Sequence, residues 1–64
     1  MTLKQWLTKH NQIPRFKVFC YNDMSGTYRP LTSSYTLYKH YQIDKEEEYK
    51  VGNLTYYNLY IKKN

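Results

Sequence analysis

Apolar and polar positions alternate along most of this chain, and the period of the alternation changes once. Leu3, Trp6, Leu7 and His10 fall on one side of a helical wheel. Thr2, followed three residues later by Gln5, forms a capping box. The spacing predicts a short amphipathic helix over residues 2–10, with Asn11 closing it in a left-handed conformation and Pro14 barring its continuation. So short a helix is unstable alone, so Trp6 and Leu7 must dock on another element.

From Arg15 onward the period drops to two. Phe16, Val18 and Cys20 alternate with Arg15, Lys17, Phe19 and Tyr21, a stretch rich in β-formers that predicts a strand. Asn22 to Gly26 is a turn cluster, and Thr27 to Leu31 reads as the return strand of a hairpin. Pro30 cannot donate a ladder hydrogen bond, which puts that strand at a sheet edge or ends it there. Residues 33–43 carry both periods: Tyr35, Leu37, Tyr41 and Ile43 alternate as in a strand, while Leu37, Tyr38 and Tyr41 make a helical stripe behind a Ser34 cap. Thr36 and the density of tyrosine favour strand. Asp44 to Glu48 reads as a solvated loop, whose run Glu46-Glu47-Glu48 serves solubility in preference to docking a basic partner. Tyr49 to Val51 then reads as a short strand and Gly52-Asn53 as a tight turn. Leu54 to Lys62 is the closing strand, with Thr55, Tyr57, Leu59 and Ile61 on one face and Leu54, Tyr56, Asn58 and Tyr60 on the other.

These elements imply one α+β domain over residues 1–64, a short N-terminal helix packed on a small twisted antiparallel sheet of three to five strands. The core expected from the pattern is Leu3, Trp6, Leu7, Phe16, Val18, Leu31, Leu37, Val51, Leu59 and Ile61. A chain this short buries little surface and leans on large side chains. Nine Tyr, two Phe and Trp6 supply them.

Composition narrows the chemistry. Cys20 is the sole cysteine, which rules out an intramolecular disulfide or a thiolate zinc cluster and fits a reducing compartment. It shares its strand face with Phe16 and Val18, so it reads as a small core residue, not a nucleophile. His10 ends a helix, where an imidazole favours the dipole. Neither these groups nor His40, Asp23 and Asp44 show the spacing of a catalytic or metal site, and Gly26 and Gly52 stand singly, without a phosphate loop. A non-enzymatic protein without metal or cofactor is the expectation. The start of the chain lacks the basic-then-apolar pattern of a signal peptide, and no apolar run approaches a membrane span. The expected setting is therefore cytoplasmic, with no membrane partner.

The net charge of +5 is unevenly spread: residues 44–48 sum to −3, leaving +8 on the remainder. Bases interleave with aromatics in Tyr38-Lys39-His40-Tyr41 and again among Tyr56, Tyr57, Tyr60, Lys62 and Lys63, with Arg15 and Lys17 on the first strand. Bases of nucleic acid stack on aromatic faces while Lys and Arg neutralise phosphates. These residues other than Tyr56 are the candidate binding set. Two partners fit it: nucleic acid, or a host protein that handles nucleic acid and would be docked on and inhibited, with a homodimer compatible with either. The absence of Ala and abundance of Lys, Tyr and Asn are the usage of an AT-rich genome, pointing to a phage or mobile element of a low-GC bacterium.

Overall fold

In the computed structural model, residues 1–10 and 15–63 are described, and they form one helix on one face of a four-stranded mixed sheet. The helix, α1, spans Leu3–Lys9 and has the expected capping box: the Thr2 hydroxyl accepts from the Gln5 N–H at 3.2 Å, and the Gln5 side chain accepts from the Thr2 N–H at 2.9 Å. Two more first-turn N–H groups, those of Leu3 and Lys4, donate to the carbonyls of Tyr41 and Lys39 at 3.0 and 3.1 Å. The helix start is thus satisfied by its own cap and by a distant stretch of chain. The closing roles of Asn11 and Pro14 lie outside the described residues.

The strands are β1 (Arg15–Asn22), β2 (Thr27–Pro30), β3 (Gln42–Val51) and β4 (Leu54–Lys62), in the order β2-β1-β4-β3. β2 pairs antiparallel with β1, and β3 with β4, but β1 and β4 run parallel at the centre. The expected all-antiparallel sheet is corrected to a mixed one. The reason is topological: two hairpins are joined through their first and last strands, and the chain between them crosses over so that β4 returns in the direction of β1. The two central strands are those with the clean apolar alternation. The edges carry Pro30 on one side and the charged run on the other, both of which discourage pairing with a further strand.

Glycine is required at both hairpin turns. Gly26 (φ 66°) closes the first, where Asn22 Oδ1 accepts from the Met24 N–H at 2.9 Å and the Asn22 carbonyl accepts from the Gly26 N–H at 2.8 Å. Gly52 (φ 63°) takes the first position of the two-residue turn between β3 and β4, with Asn53 at negative φ, the pattern of a II′ hairpin.

Two segments differ from expectation. Of residues 33–43 only Gln42 and Ile43 lie in a strand, at the start of β3; Tyr35–Tyr38 is one turn of 3-10 helix, η1, and the Ser34 hydroxyl caps it by accepting from the Thr36 N–H. Tyr38 and Tyr41 then pack against the core beneath α1, a tertiary demand that local β-propensity does not record. Asp44 to Glu48 is not a loop but the middle of β3, the longest strand, in register with β4 except for a bulge at Asp44.

Leu3, Trp6, Leu59 and Ile61 are fully buried and Val18 nearly so, with Leu7, Phe16, Cys20, Leu31 and several rings packed around them. Leu37 and Val51, both expected in the core, are exposed, because η1 turns Leu37 outward and Val51 lies at the tip of the β3–β4 hairpin. Cys20 is half-buried, and burial, with Asp23 adding to it, pushes its thiol up. Among the described residues no helix is long and apolar enough to cross a membrane.

Trp6 is the centre of this packing. Its ring stacks on His10 at 3.9 Å and meets Phe16 and Tyr57 edge-on at 5.6 and 5.3 Å, and its indole N–H donates to Glu46 Oε1 at 2.6 Å. Truncating a buried Trp costs ~3–5 kcal/mol, comparable to the whole stability of a domain this size. Trp6→Ala is expected to be largely unfolded at room temperature by circular dichroism, whereas Trp6→Phe, which loses the N–H and some volume, keeps a cooperative melt at lower temperature. A Trp6→Ala melt close to wild type would show that the helix contributes little to the fold.

Candidate functional site

The helix covers one face of the sheet, and the pairing register determines what the other face carries. With Phe16, Val18, Cys20, Tyr57, Leu59 and Ile61 directed to the helix side, Arg15, Lys17, Phe19 and Tyr21 of β1 and Tyr56, Asn58, Tyr60 and Lys62 of β4 share the opposite side. Tyr28 joins them from β2, opposite Tyr21, and Lys45, Glu47 and Tyr49 from β3, opposite Tyr60, Asn58 and Tyr56. No secondary-structure element among the described residues covers this face.

Its side chains lie in rows across the strands. Phe19 stacks on Tyr60 at 5.0 Å with 16° between the rings, and Tyr49 on Tyr56 at 5.5 Å with 14°. Tyr28 meets both Tyr21 and Tyr60 edge-on. Lys62 sits 4.8 Å above the Tyr21 ring and Lys45 5.6 Å above that of Tyr60, held by the electron-rich ring faces. Between the two stacked pairs runs a polar row of Lys17, Asn58 and Glu47. Because β2 pairs only with Phe19–Asn22, the start of β1 lacks a neighbour on that side, and a groove of about 750 Å³ curls around it, lined by Arg15, Lys17, Phe19, Tyr35 and Tyr56 among others.

The acidic run is engaged by aromatic donors. Glu46 and Glu48 point to the helix side, where they accept from the Trp6 indole and the Tyr57 hydroxyl, while Glu47 points to the open side and accepts from Tyr60 Oη at 2.5 Å. At the bulge, Asp44 accepts from the Tyr28 hydroxyl, which reaches across the face from the far edge strand. The Tyr60 hydroxyl, with help from Lys45 and Asn58, holds the Glu47 carboxyl below the usual range. Glu48 and Glu47 in turn push Tyr57 and Tyr60 up. Among the described residues four cations, Arg15, Lys17, Lys45 and Lys62, therefore share the open face with two carboxylates, both already accepting from tyrosine and one, Glu47, paired with Lys45 at 3.7 Å.

Of the residues expected from sequence, Arg15, Lys17, Tyr60 and Lys62 come together on this face, and Lys63 follows Lys62 beyond the end of β4. Tyr57 faces the helix, edge-on to Trp6 and His10. Tyr38, Lys39, His40 and Tyr41 belong to η1 and the turn after it; the Lys39 and Tyr41 carbonyls hold the start of α1, and these four do not join the open face. The sequence reading missed Phe19, Tyr21, Tyr28, Lys45, Tyr49 and Asn58, and left Tyr56 out of the binding set though it named that ring among the interleaved aromatics. The signal was present in the alternation, since whatever opposes the core residues of β1 and β4 must share the other side. Among the described residues no three His, Cys, Asp or Glu side chains are grouped to hold a metal ion.

Neither a protein-family model, nor a curated protein, nor a solved structure matches this chain.

The Tyr28–Asp44 contact gives this face a pH signature. The hydrogen bond to Asp44 is the largest cause, followed by burial and the Asp44 charge, and together they push the Tyr28 hydroxyl up to about 12. An unfolded tyrosine ionises near ~10, so the unfolded state loses its proton first. The stabilisation is complete below about 10 and is lost as pH rises toward the folded value. Denaturant midpoints measured from pH 9 to 12 are expected to fall more steeply for wild type than for Tyr28→Phe, and the variant should lack the highest step in the tyrosinate absorbance titration. Identical slopes would show that Tyr28 does not bind Asp44 in solution.

Proposed function

We propose that the protein binds single-stranded nucleic acid on the open face of its sheet. The observation that carries this reading is the combination of paired aromatic rings and four cations on a face that no helix covers. Every base has a π-face, so ring platforms hold a strand with little regard to sequence, while Lys and Arg follow its phosphates. A single strand suits this surface better than a duplex, because the rings engage bases only where they are unstacked from a partner. Tyr49, the outer ring of one pair, is 39% exposed at the β3 edge and offers a free surface for a base. Arg15 and Lys17 line the groove beside the other rings, positioned to meet the backbone.

Charge complementarity favours the same partner. The five-residue acidic segment is turned inward to Trp6 and Tyr57 or tied to tyrosines at the surface, which leaves the basic excess to dominate the field met by an approaching polyanion. On this reading the protein serves a phage or mobile element of a low-GC bacterium in handling its nucleic acid, and it does so by binding alone, without catalysis.

Salt and side-chain substitutions test the proposal. Each cation engaged on a single strand contributes about −0.7 to the slope of log K against log salt. Arg15→Gln combined with Lys62→Gln is expected to weaken binding of a fluorescent oligothymidylate and flatten that slope by about 1.4. Tyr56→Ala is expected to cost roughly 1–3 kcal/mol with the slope unchanged. No retention of any oligonucleotide at low salt sinks the proposal. A shallow slope with loss dominated by the tyrosine would instead mark a protein partner.

A further inference from the structure

The middle row of the open face differs from the aromatic rows on either side. Lys17 on β1, Asn58 on β4 and Glu47 on β3 stand in register across three adjacent strands. The Asn58 side chain is hydrogen-bonded to the Glu47 carboxylate, and since a carboxylate only accepts, the amide NH₂ must be the donor. That leaves Asn58 Oδ1 as the unengaged end, and this oxygen is shielded from solvent with no hydrogen-bond partner. It is an orphan acceptor in the middle of a surface otherwise well satisfied. An unpaired carbonyl of this kind is costly until a donor reaches it.

Across the sheet the row therefore offers a donor, an acceptor and an acceptor: the Lys17 ammonium, Asn58 Oδ1 and the Glu47 carboxylate. Lys17 is exposed and makes no ion pair among the described residues. Glu47 accepts from the Tyr60 hydroxyl and the Asn58 amide and pairs with Lys45 at 3.7 Å, and of a carboxylate's roughly four lone-pair sites one remains to give. Resting on the single-strand reading above, we infer that this row reads the edge of a guanine base. The Watson–Crick edge of guanine presents an acceptor at O6 and donors at N1 and N2, in that order. Adenine there offers one donor beside an acceptor, cytosine one donor followed by two acceptors, and thymine or uracil one donor between two acceptors. Only guanine places two donors next to an acceptor, the complement of this row. Lys17 meets O6, Asn58 Oδ1 takes one of the two donors, and Glu47 takes the other. The Phe19–Tyr60 pair on one side and Tyr56 on the other flank the row, where the neighbouring bases stack. Asn58 as a residue is only half-buried, so a change of its own rotamer, fast on the timescale of binding, brings the oxygen out.

The test uses the full chain and thymidine decamers with one central substitution: deoxyguanosine, deoxyinosine, deoxyadenosine or deoxycytidine. By fluorescence anisotropy the guanine-centred strand is expected to bind about fivefold to a hundredfold more tightly than the all-thymidine strand, the range for a good paired base contact. Inosine, which lacks only the N2 amino group, should lose most of that gain. Asn58→Leu should abolish the preference, bringing the guanine-centred strand to the level at which the variant binds the all-thymidine strand. Its melting temperature should equal or exceed that of wild type, because the orphan oxygen is gone. Equal binding of all centres by wild type overturns the inference and leaves the single-strand reading standing, as does a guanine preference that survives in Asn58→Leu. Failure of every strand to bind overturns both. The comparison of guanine with inosine on wild-type protein decides the matter even where the variant fails to fold.

Discussion

Everything in this fold depends on the burial of one indole. Trp6 is 1% exposed, fills the space between α1 and the two central strands, and sends its N–H to Glu46 on the edge strand β3. A helix of seven residues has no stability of its own, so the ring is what converts a marginal helix into a lid over the sheet. The same contact fixes β3 from below, since an edge strand so rich in glutamate would otherwise gain little from lying against an apolar core. Leu3, Leu59 and Ile61 complete the core.

Among the described residues α1 is the sole α-helix, and it covers a single face of the sheet. The other face avoids a greasy surface by pairing its rings with each other and by laying lysine over them, so that apolar area is partly hidden while charge stays in water. Rings already held by neighbours lose little freedom when a ligand arrives, which favours binding.

The acidic run and the tyrosines solve each other's problem. Consecutive glutamates in a strand point to alternate faces, and here each finds a hydroxyl or indole donor on its own side. Aromatic donors near the core obtain acceptors, and the negative charge is spread over both faces instead of forming a patch. The cations are left as the dominant exposed charge. A chain that looks electrostatically divided along its sequence becomes, once folded, a sheet with one basic aromatic face.

How far the sequence alone determined this can be seen element by element. Signals that act within a few residues were legible: the Thr2–Gln5 capping box, the two-residue period of β1 and β4, the glycines at both turns, and Pro30 at a sheet edge all depend on local geometry. So was the division of β4 into two faces. What escaped were features set by partners distant in the chain. Glu46, Glu47 and Glu48 read as a loop because their β-propensity is poor, and they form a strand because Trp6, Tyr60 and Tyr57 arrive from elsewhere with donors. Residues 33–43 carried both periods, and the need to bury Tyr38 and Tyr41 under the helix chose the 3-10 turn. The parallel pairing of β1 with β4 has no local signature at all, yet it alone brings Phe19 beside Tyr60 and sets Asn58 between Lys17 and Glu47. The residue types of the candidate face were written in the alternation of single strands; their assembly into one surface was decided by which strands became neighbours, a choice made by the total burial of the core.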